Sequence, residues 1–210
     1  SDKWQEEQYR AFEPAKDIFF FSHIVTGSDP FRNLTHAVDV STALCTCIDA
    51  QVGNGRKVWE VGHKALFGVV EGCGVTPPSV RRHGFTTDLV GKAFAWIYSD
   101  VMSSIHVYSS PESYSWTIML PNYAGGFMWS SPCLYIKLRE DAYLFSWTED
   151  TCNGNQGTMV FNPNLMHDAG FFFGVGDDDV HLSAMGAYAR AAGGFDILKY
   201  FDIKRPSSEL

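Results

Sequence analysis

From Phe85 onward, the sequence consists of short segments in which large apolar residues recur at every second position, separated by turn-forming residues. Such alternation predicts β-strands, because successive side chains of a strand point to opposite faces of the sheet. The segments are 93–98, 105–108, 114–119, 125–129, 134–139, 143–149, 157–161, 169–175 and 181–190. The run 125–129 can open another strand, followed by 134–139, and the pattern amounts to roughly eight strands at the spacing of an antiparallel sandwich or barrel.

An eight-stranded barrel is just wide enough to be filled by its own side chains or to hold one small ligand. Some of these strands are apolar on both faces, and Phe171-Phe172-Phe173 is the clearest case. A strand that is buried on both faces needs a cover on its outer side. We therefore expect the segment 1–84 to pack on a barrel formed by 85–210, within one compact domain.

The N-terminal segment has a different pattern, which predicts a mixed and mostly helical structure. Between His36 and Ala50, apolar residues recur with the spacing of an amphipathic helix. They are Val40, Ala43, Leu44, Cys47 and Ile48. The stretch 4–12 also has helical spacing, whereas 58–70 fits either a helix or a pair of strands.

Composition restricts the partners of the chain. The net charge is −8 and the lysines and arginines are dispersed, which disfavours nucleic acid, since binding to phosphates needs clustered basic residues. No apolar run is long enough to span a membrane. Five cysteines without zinc-type spacing indicate free thiols in a reducing, cytoplasmic compartment. Aromatic residues make up 15% of the chain and favour a hydrophobic small molecule as the ligand. The sequence leaves open whether the chain forms a homodimer.

Glu149 is the most informative ionisable residue. By strand alternation it shares a face with Tyr143, Phe145 and Trp147. Two interpretations stay open at this point. Glu149 is either a solvated carboxylate at the start of a turn, or a desolvated carboxylate in an aromatic cavity. Desolvation would raise its pKa and suit it to proton transfer near neutral pH.

The string Ser146-Trp147-Thr148-Glu149, followed by Met166-His167 and then by paired phenylalanines, resembles the core of the phenolic acid decarboxylases. The pattern is also similar to the related MoaF-like proteins, and it covers roughly 88–190. The resemblance implies a lipocalin-like (calycin) barrel in which Glu149 is the catalytic carboxylate.

The chain departs from the decarboxylase pattern at two places. That family holds the substrate carboxylate with two tyrosines on the first barrel strand; here Tyr98 is present, but Trp96 replaces the other tyrosine. Its catalytic arginine precedes a tryptophan, and here Met128 precedes Trp129. A pocket without this arginine lacks the strongest anchor for a carboxylate.

These features predict a small-molecule acid–base enzyme, a lyase or cyclase without a cofactor or metal. Its reaction would be dehydration, isomerisation, ring closure or decarboxylation of an apolar, aromatic or polyketide-like metabolite. The alternative is a non-catalytic lipocalin-like carrier of a hydrophobic ligand. The predicted catalytic residues are Glu149, Tyr98 and His167. The predicted substrate-binding residues are Trp96, Trp116, Trp129, Tyr143, Phe145, Trp147 and Phe173.

Overall fold

The computed structural model describes residues 4–53, 61–119, 125–149, 154–175 and 180–195. Within these ranges all regular structure is β-strand, and no helix is present that is long and apolar enough to cross a membrane. The strands are β1 Arg10–Ala15, β2 Ile18–Ile24, β3 Arg32–Asp39, β4 Leu44–Val52, β5 Val61–Val69, β6 Gly84–Phe85, β7 Lys92–Ser99, β8 Met102–Ser110, β9 Ser113–Ile118, β10 Met128–Arg139, β11 Ala142–Glu149, β12 Asn155–Asn162, β13 His167–Val175 and β14 Val180–Gly194.

Strands β7 to β14 form a closed, eight-stranded antiparallel barrel. Each strand pairs with the next along the chain, and β14 pairs with β7 to complete the ring. The short strand β6 pairs with Ile136 and Lys137 of β10, beyond the last residue of β10 that pairs with β9. The predicted eight-stranded, calycin-like barrel is thereby confirmed.

Residues 128 and 129, at the end of the predicted segment 125–129, and the whole of 134–139 belong to one strand, β10. The intervening Ser130-Ser131-Pro132 resembles a turn in sequence, but Pro132 is paired with Ser113 inside the ladder. Pairing with β9 ends at Pro132, and pairing with β11 begins at Cys133. A proline is tolerated where a strand changes partner because its missing N–H is not needed there.

The prediction of a mostly helical N-terminal segment is wrong. Strands β1 to β5 form a five-stranded antiparallel meander instead. The apparent helical stripe spans the turn between β3 and β4, where Ala43 adopts a positive φ of 55°. Leu44 and Ile48 are four residues apart and both buried. Because four is an even number, this spacing also places both side chains on one face of a strand.

The five-stranded sheet packs on the outer face of the barrel over β10 to β13. The Phe171 ring, on the outer face of β13, lies 5.2 Å from the rings of both Phe12 and Phe20. At the edge of this interface, Arg139 Nη2 of the barrel donates a hydrogen bond of 2.9 Å to the Lys16 carbonyl. The domain boundary at 84/85 stays a prediction.

We expect Phe171→Leu to lower the free energy of unfolding by about 1–2 kcal/mol, because leucine keeps the apolar contact but loses the packing of the ring. Urea unfolding followed by circular dichroism measures this. An unchanged midpoint would show that the two sheets do not depend on each other here. The exposed Phe195, changed in the same way, is the control.

The barrel interior is filled at one end by aromatic side chains. They include Phe94, Trp96, Tyr108, Tyr135, Phe145 and Phe161. Leu89 and Val90, in the turn before β7, are buried in the same cluster. Nearby, the Tyr143 hydroxyl donates a hydrogen bond of 3.1 Å to Asp88. We call this the closed end of the barrel; the other end, where β11 finishes at Glu149, is the mouth.

Candidate functional site

Towards the mouth, the barrel contains a cavity of about 400 Å³. Its walls are mostly apolar and come from the inner faces of six strands, β7, β8, β9, β11, β13 and β14. The lining residues are Tyr98, Met102, Ser104, His106, Tyr114, Trp116, Ile118, Trp147, Glu149, Phe172 and Met185. A cavity of this size and chemistry suits one small, largely apolar molecule.

Glu149, at the end of β11, is half-buried in the cavity wall. Trp147 Nε1 donates a hydrogen bond of 3.3 Å to Glu149 Oε1, which is possible because residues two apart share a strand face. Burial raises the pKa of the Tyr114 hydroxyl, and the negative charge of Glu149 adds to that rise. Of the two interpretations of Glu149, the geometry therefore favours the carboxylate that belongs to the cavity.

Tyr98, on β7, lines the same cavity as Glu149. Burial raises the pKa of its hydroxyl well above the ordinary value, and the charge of Asp168 raises it further. A hydrogen bond with Ser104 acts in the opposite direction. Tyr98 is consequently a neutral hydroxyl at physiological pH, available for hydrogen bonding.

Asp168 is a functional candidate that the sequence reasoning missed. It lies on the inner face of β13 and only 6% of it is exposed. Its Oδ1 accepts a hydrogen bond of 2.7 Å from the Ala187 amide, while Oδ2 has no partner among the described residues. Burial raises the pKa of Asp168 to about 7. The sequence carries no signal for this position, because β13 is apolar on both faces; parity with Phe172 indicates the inward face only once the structure shows Phe172 in the cavity lining.

Asp168 and Tyr98 approach each other across a small residue. Ala187 pairs with Asp168 on one side. On the other side, β14 pairs with β7 through Ala189–Trp96 and Tyr188–Ile97, so Tyr98 follows next to Ala187. The methyl group of Ala187 leaves room between the two longer side chains, which explains why the charge of Asp168 affects Tyr98.

Two of the seven predicted binding residues, Trp116 and Trp147, line the cavity. Trp129 pairs with Trp116 on the neighbouring strand but is 48% exposed and lies outside the lining. Trp96 and Phe145 are fully buried in the filled half of the barrel.

The other predicted residues lie away from the cavity. Tyr143 is at the closed end, bonded to Asp88. Phe173 packs with Val52 and Val61 of the five-stranded sheet, on the outer face of β13. His167 begins β13, one residue before the inward-facing Asp168, and by alternation is on the outer face. The structure thus brings Glu149, Tyr98, Trp116 and Trp147 together and leaves the rest apart.

No group of three His, Cys, Asp or Glu side chains is arranged for a metal ion in the ranges that the structure describes. The four cysteines within those ranges are free thiols: Cys45, Cys47, Cys73 and Cys133. Cys152 lies outside the described residues. The functional groups of the cavity are therefore carboxyl, hydroxyl and imidazole groups.

Gly157 gives the Trp147 ring its position in the cavity wall. The two residues are paired across β11 and β12, and a Cβ atom at 157 would overlap the indole.

We expect Gly157→Ala to displace the indole into the cavity and to lower the free energy of unfolding by about 1–3 kcal/mol through overpacking. Urea unfolding and the tryptophan emission spectrum measure the two effects. Gly193→Ala, where a Cβ meets nothing within 4 Å, is the control; equal results for both would contradict the prediction.

Comparison with known proteins identifies the barrel. The family model described as the MoaF C-terminal domain matches residues 83–193. No curated protein matches the chain. A crystal structure provisionally assigned as a beta-lactamase from Burkholderia vietnamiensis aligns with a TM-score of 0.42 and 17% identity, over 50% of this chain and 96% of the other.

Proposed function

This chain belongs to the MoaF C-terminal domain family, and from that premise we propose that its barrel is a cofactor-free acid–base enzyme, a lyase or cyclase for a small apolar molecule. The observation that carries the proposal is the placement of Glu149 and Tyr98 on one mostly apolar cavity, with the buried Asp168 beside Tyr98. Carboxyl groups in unlike environments are a common arrangement for acid and base roles.

Dehydration illustrates how these groups would divide the acid and base roles. The Glu149 carboxylate takes a proton from a carbon of the substrate. Tyr98 donates its proton to the hydroxyl group that leaves as water, and Asp168 returns a proton to Tyr98. The electron pair of the broken C–H bond forms the new double bond, and the pair of the C–O bond leaves with the water oxygen. The proton on Glu149 returns through solvent to Asp168, so protons and electrons balance without a cofactor. General acid–base catalysis of this kind typically contributes about 10²- to 10⁴-fold per group.

The aromatic walls of the cavity suit isomerisation and ring closure as well as dehydration. Trp116, Trp147 and Phe172 line the cavity, and aromatic faces stabilise developing positive charge. A fixed cavity also holds a flexible substrate in a folded conformation, which lowers the entropic barrier to ring closure. Decarboxylation of a phenolic acid is the least supported of the predicted reactions, because Met128 occupies the position of the arginine.

The experiment compares binding and turnover in the same protein. The purified chain is incubated with a panel of uncharged aromatic and polyketide-like compounds, and products are identified by mass spectrometry. Turnover by the wild type that disappears in Glu149→Gln, with binding retained, supports an enzyme. Glu112→Gln, an exposed change in the β8–β9 turn, is the matched control.

The mostly apolar wall is equally suited to the second candidate, a carrier of a hydrophobic ligand. A carrier would bind compounds of the panel with unchanged affinity in the wild type and in Glu149→Gln, and neither protein would convert them. That result would overturn the enzyme proposal.

A further inference from the structure

His106 lies on the inner face of β8, at the boundary between the filled half of the barrel and the cavity. Its ring centroid is 5.2 Å from that of Tyr114 and 6.4 Å from that of Phe145. The residue is 5% exposed and lines the cavity. Nε2 is 3.0 Å from the Ser104 hydroxyl, while Nδ1 has no partner among the described residues.

His106 and Ser104 place an imidazole and a hydroxyl in a mostly apolar cavity wall, and a bound molecule that forms a hydrogen bond with such a group gains affinity. Burial also lowers the pKa of His106 to about 3, so the ring is uncharged at physiological pH. An uncharged imidazole nitrogen donates or accepts one hydrogen bond, according to its tautomer. Its natural partner is a hydroxyl or carbonyl group rather than an ion.

The charges around the cavity point in the same direction. Glu149 lines it, Asp168 lies beside Tyr98, and no lysine or arginine is among the lining residues in the described ranges. A carboxylate ion entering this apolar site would meet like charge and, among the described lining residues, no counter-ion.

We propose that the cavity binds an uncharged, largely apolar molecule with one hydroxyl or carbonyl group held at the His106–Ser104 pair, and that it discriminates against carboxylate ions. This inference rests on the proposed function only in taking the cavity as the substrate site. It gives that site a substrate class and assigns His106 as a specificity-determining residue.

Three probes with one skeleton test the proposal: 4-biphenylmethanol, biphenyl-4-carboxylate and 4-methylbiphenyl. Dissociation constants are measured by isothermal titration at pH 7.5 with the wild-type chain. We expect the alcohol to bind about threefold to tenfold more tightly than the methyl compound, and at least about tenfold more tightly than the carboxylate. A carboxylate that binds as tightly as the alcohol, or an alcohol that does not bind at millimolar concentration, would overturn the proposal.

The contribution of His106 is tested with His106→Phe, which keeps a ring but removes both nitrogens, and with His106→Gln, which keeps a hydrogen-bonding group. The advantage of the alcohol over the methyl compound should vanish in the first variant and survive in part in the second. An advantage that persists in His106→Phe would contradict the assignment. Because all readouts are affinities, a chain that binds the alcohol without converting any compound would refute the proposed enzyme and leave this inference standing.

Discussion

Glu149→Gln is expected to lower the turnover number on any substrate of this chain by about 10²- to 10⁴-fold, the usual contribution of one acid–base group. Glutamine has almost the same shape and can still accept the hydrogen bond that Trp147 Nε1 donates to Glu149 Oε1. The cavity wall is therefore preserved, and we expect the dissociation constant to change by less than about threefold. Single-turnover kinetics together with equilibrium titration separate the two quantities.

Two further variants make this result specific. Glu149→Asp keeps the carboxyl group but withdraws it by one methylene, so it should retain more activity than glutamine while showing a lowered rate. Glu112→Gln should behave as the wild type, because that exposed side chain lies in the β8–β9 turn. Full activity in Glu149→Gln would mean that this carboxylate takes no part in the chemistry.

Asp168→Asn is expected to change how stability depends on pH. Burial raises the pKa of Asp168 in the native protein to about 7, against 3.8 for an ordinary aspartate. The native state therefore holds the proton more tightly than the unfolded state, and its stability falls as pH rises from about 4 to about 7. Between pH 5 and pH 8 this group alone should remove about 2–3 kcal/mol from the wild type. The asparagine variant lacks this loss.

Urea unfolding of the two proteins at pH 5, 6, 7 and 8 measures the difference. Asparagine retains an oxygen to accept the hydrogen bond from Ala187, so the local backbone contact is conserved. The buried histidines titrate in both proteins and cancel in the comparison. Asp100→Asn, at an exposed position, controls for the substitution itself. Parallel stability curves for the wild type and Asp168→Asn would show that Asp168 is not held in a dry environment.

Strand alternation explains what could be predicted of the barrel. The period of two identified the strands and placed Glu149 on the same face as Trp147. It says nothing about depth along the barrel axis, however. Tyr143, Phe145, Trp147 and Glu149 share one face, yet they run from the closed end to the mouth, and only the last two line the cavity. Depth depends on strand stagger, which pairing partners far along the chain determine.

The remaining differences have local causes. Three consecutive phenylalanines show no alternation of apolar and polar residues. The sequence therefore could not indicate that Phe172 faces the cavity and Phe173 faces the five-stranded sheet. Asp168 follows the predicted catalytic residue His167 directly, but neighbours on a strand point to opposite faces, so only Asp168 lies on the inner face of β13. The spacing of Leu44 and Ile48 satisfies both a helix and a strand, and pairing with β3 and β5 decides between them.

The order of the strands has a consequence for how the polypeptide acquires its structure. Nearly every pairing joins neighbours along the chain, and such contacts form quickly because little loop entropy is lost. The exceptions among the described strands are the short pairing of β6 with β10 and the pairing of β7 with β14. The strands of the second pair are separated by the whole length of the barrel segment. We expect the pairing of β7 with β14 to be the slow step of folding. Until it has formed, both strands have unpaired edges that can associate with other copies of the chain.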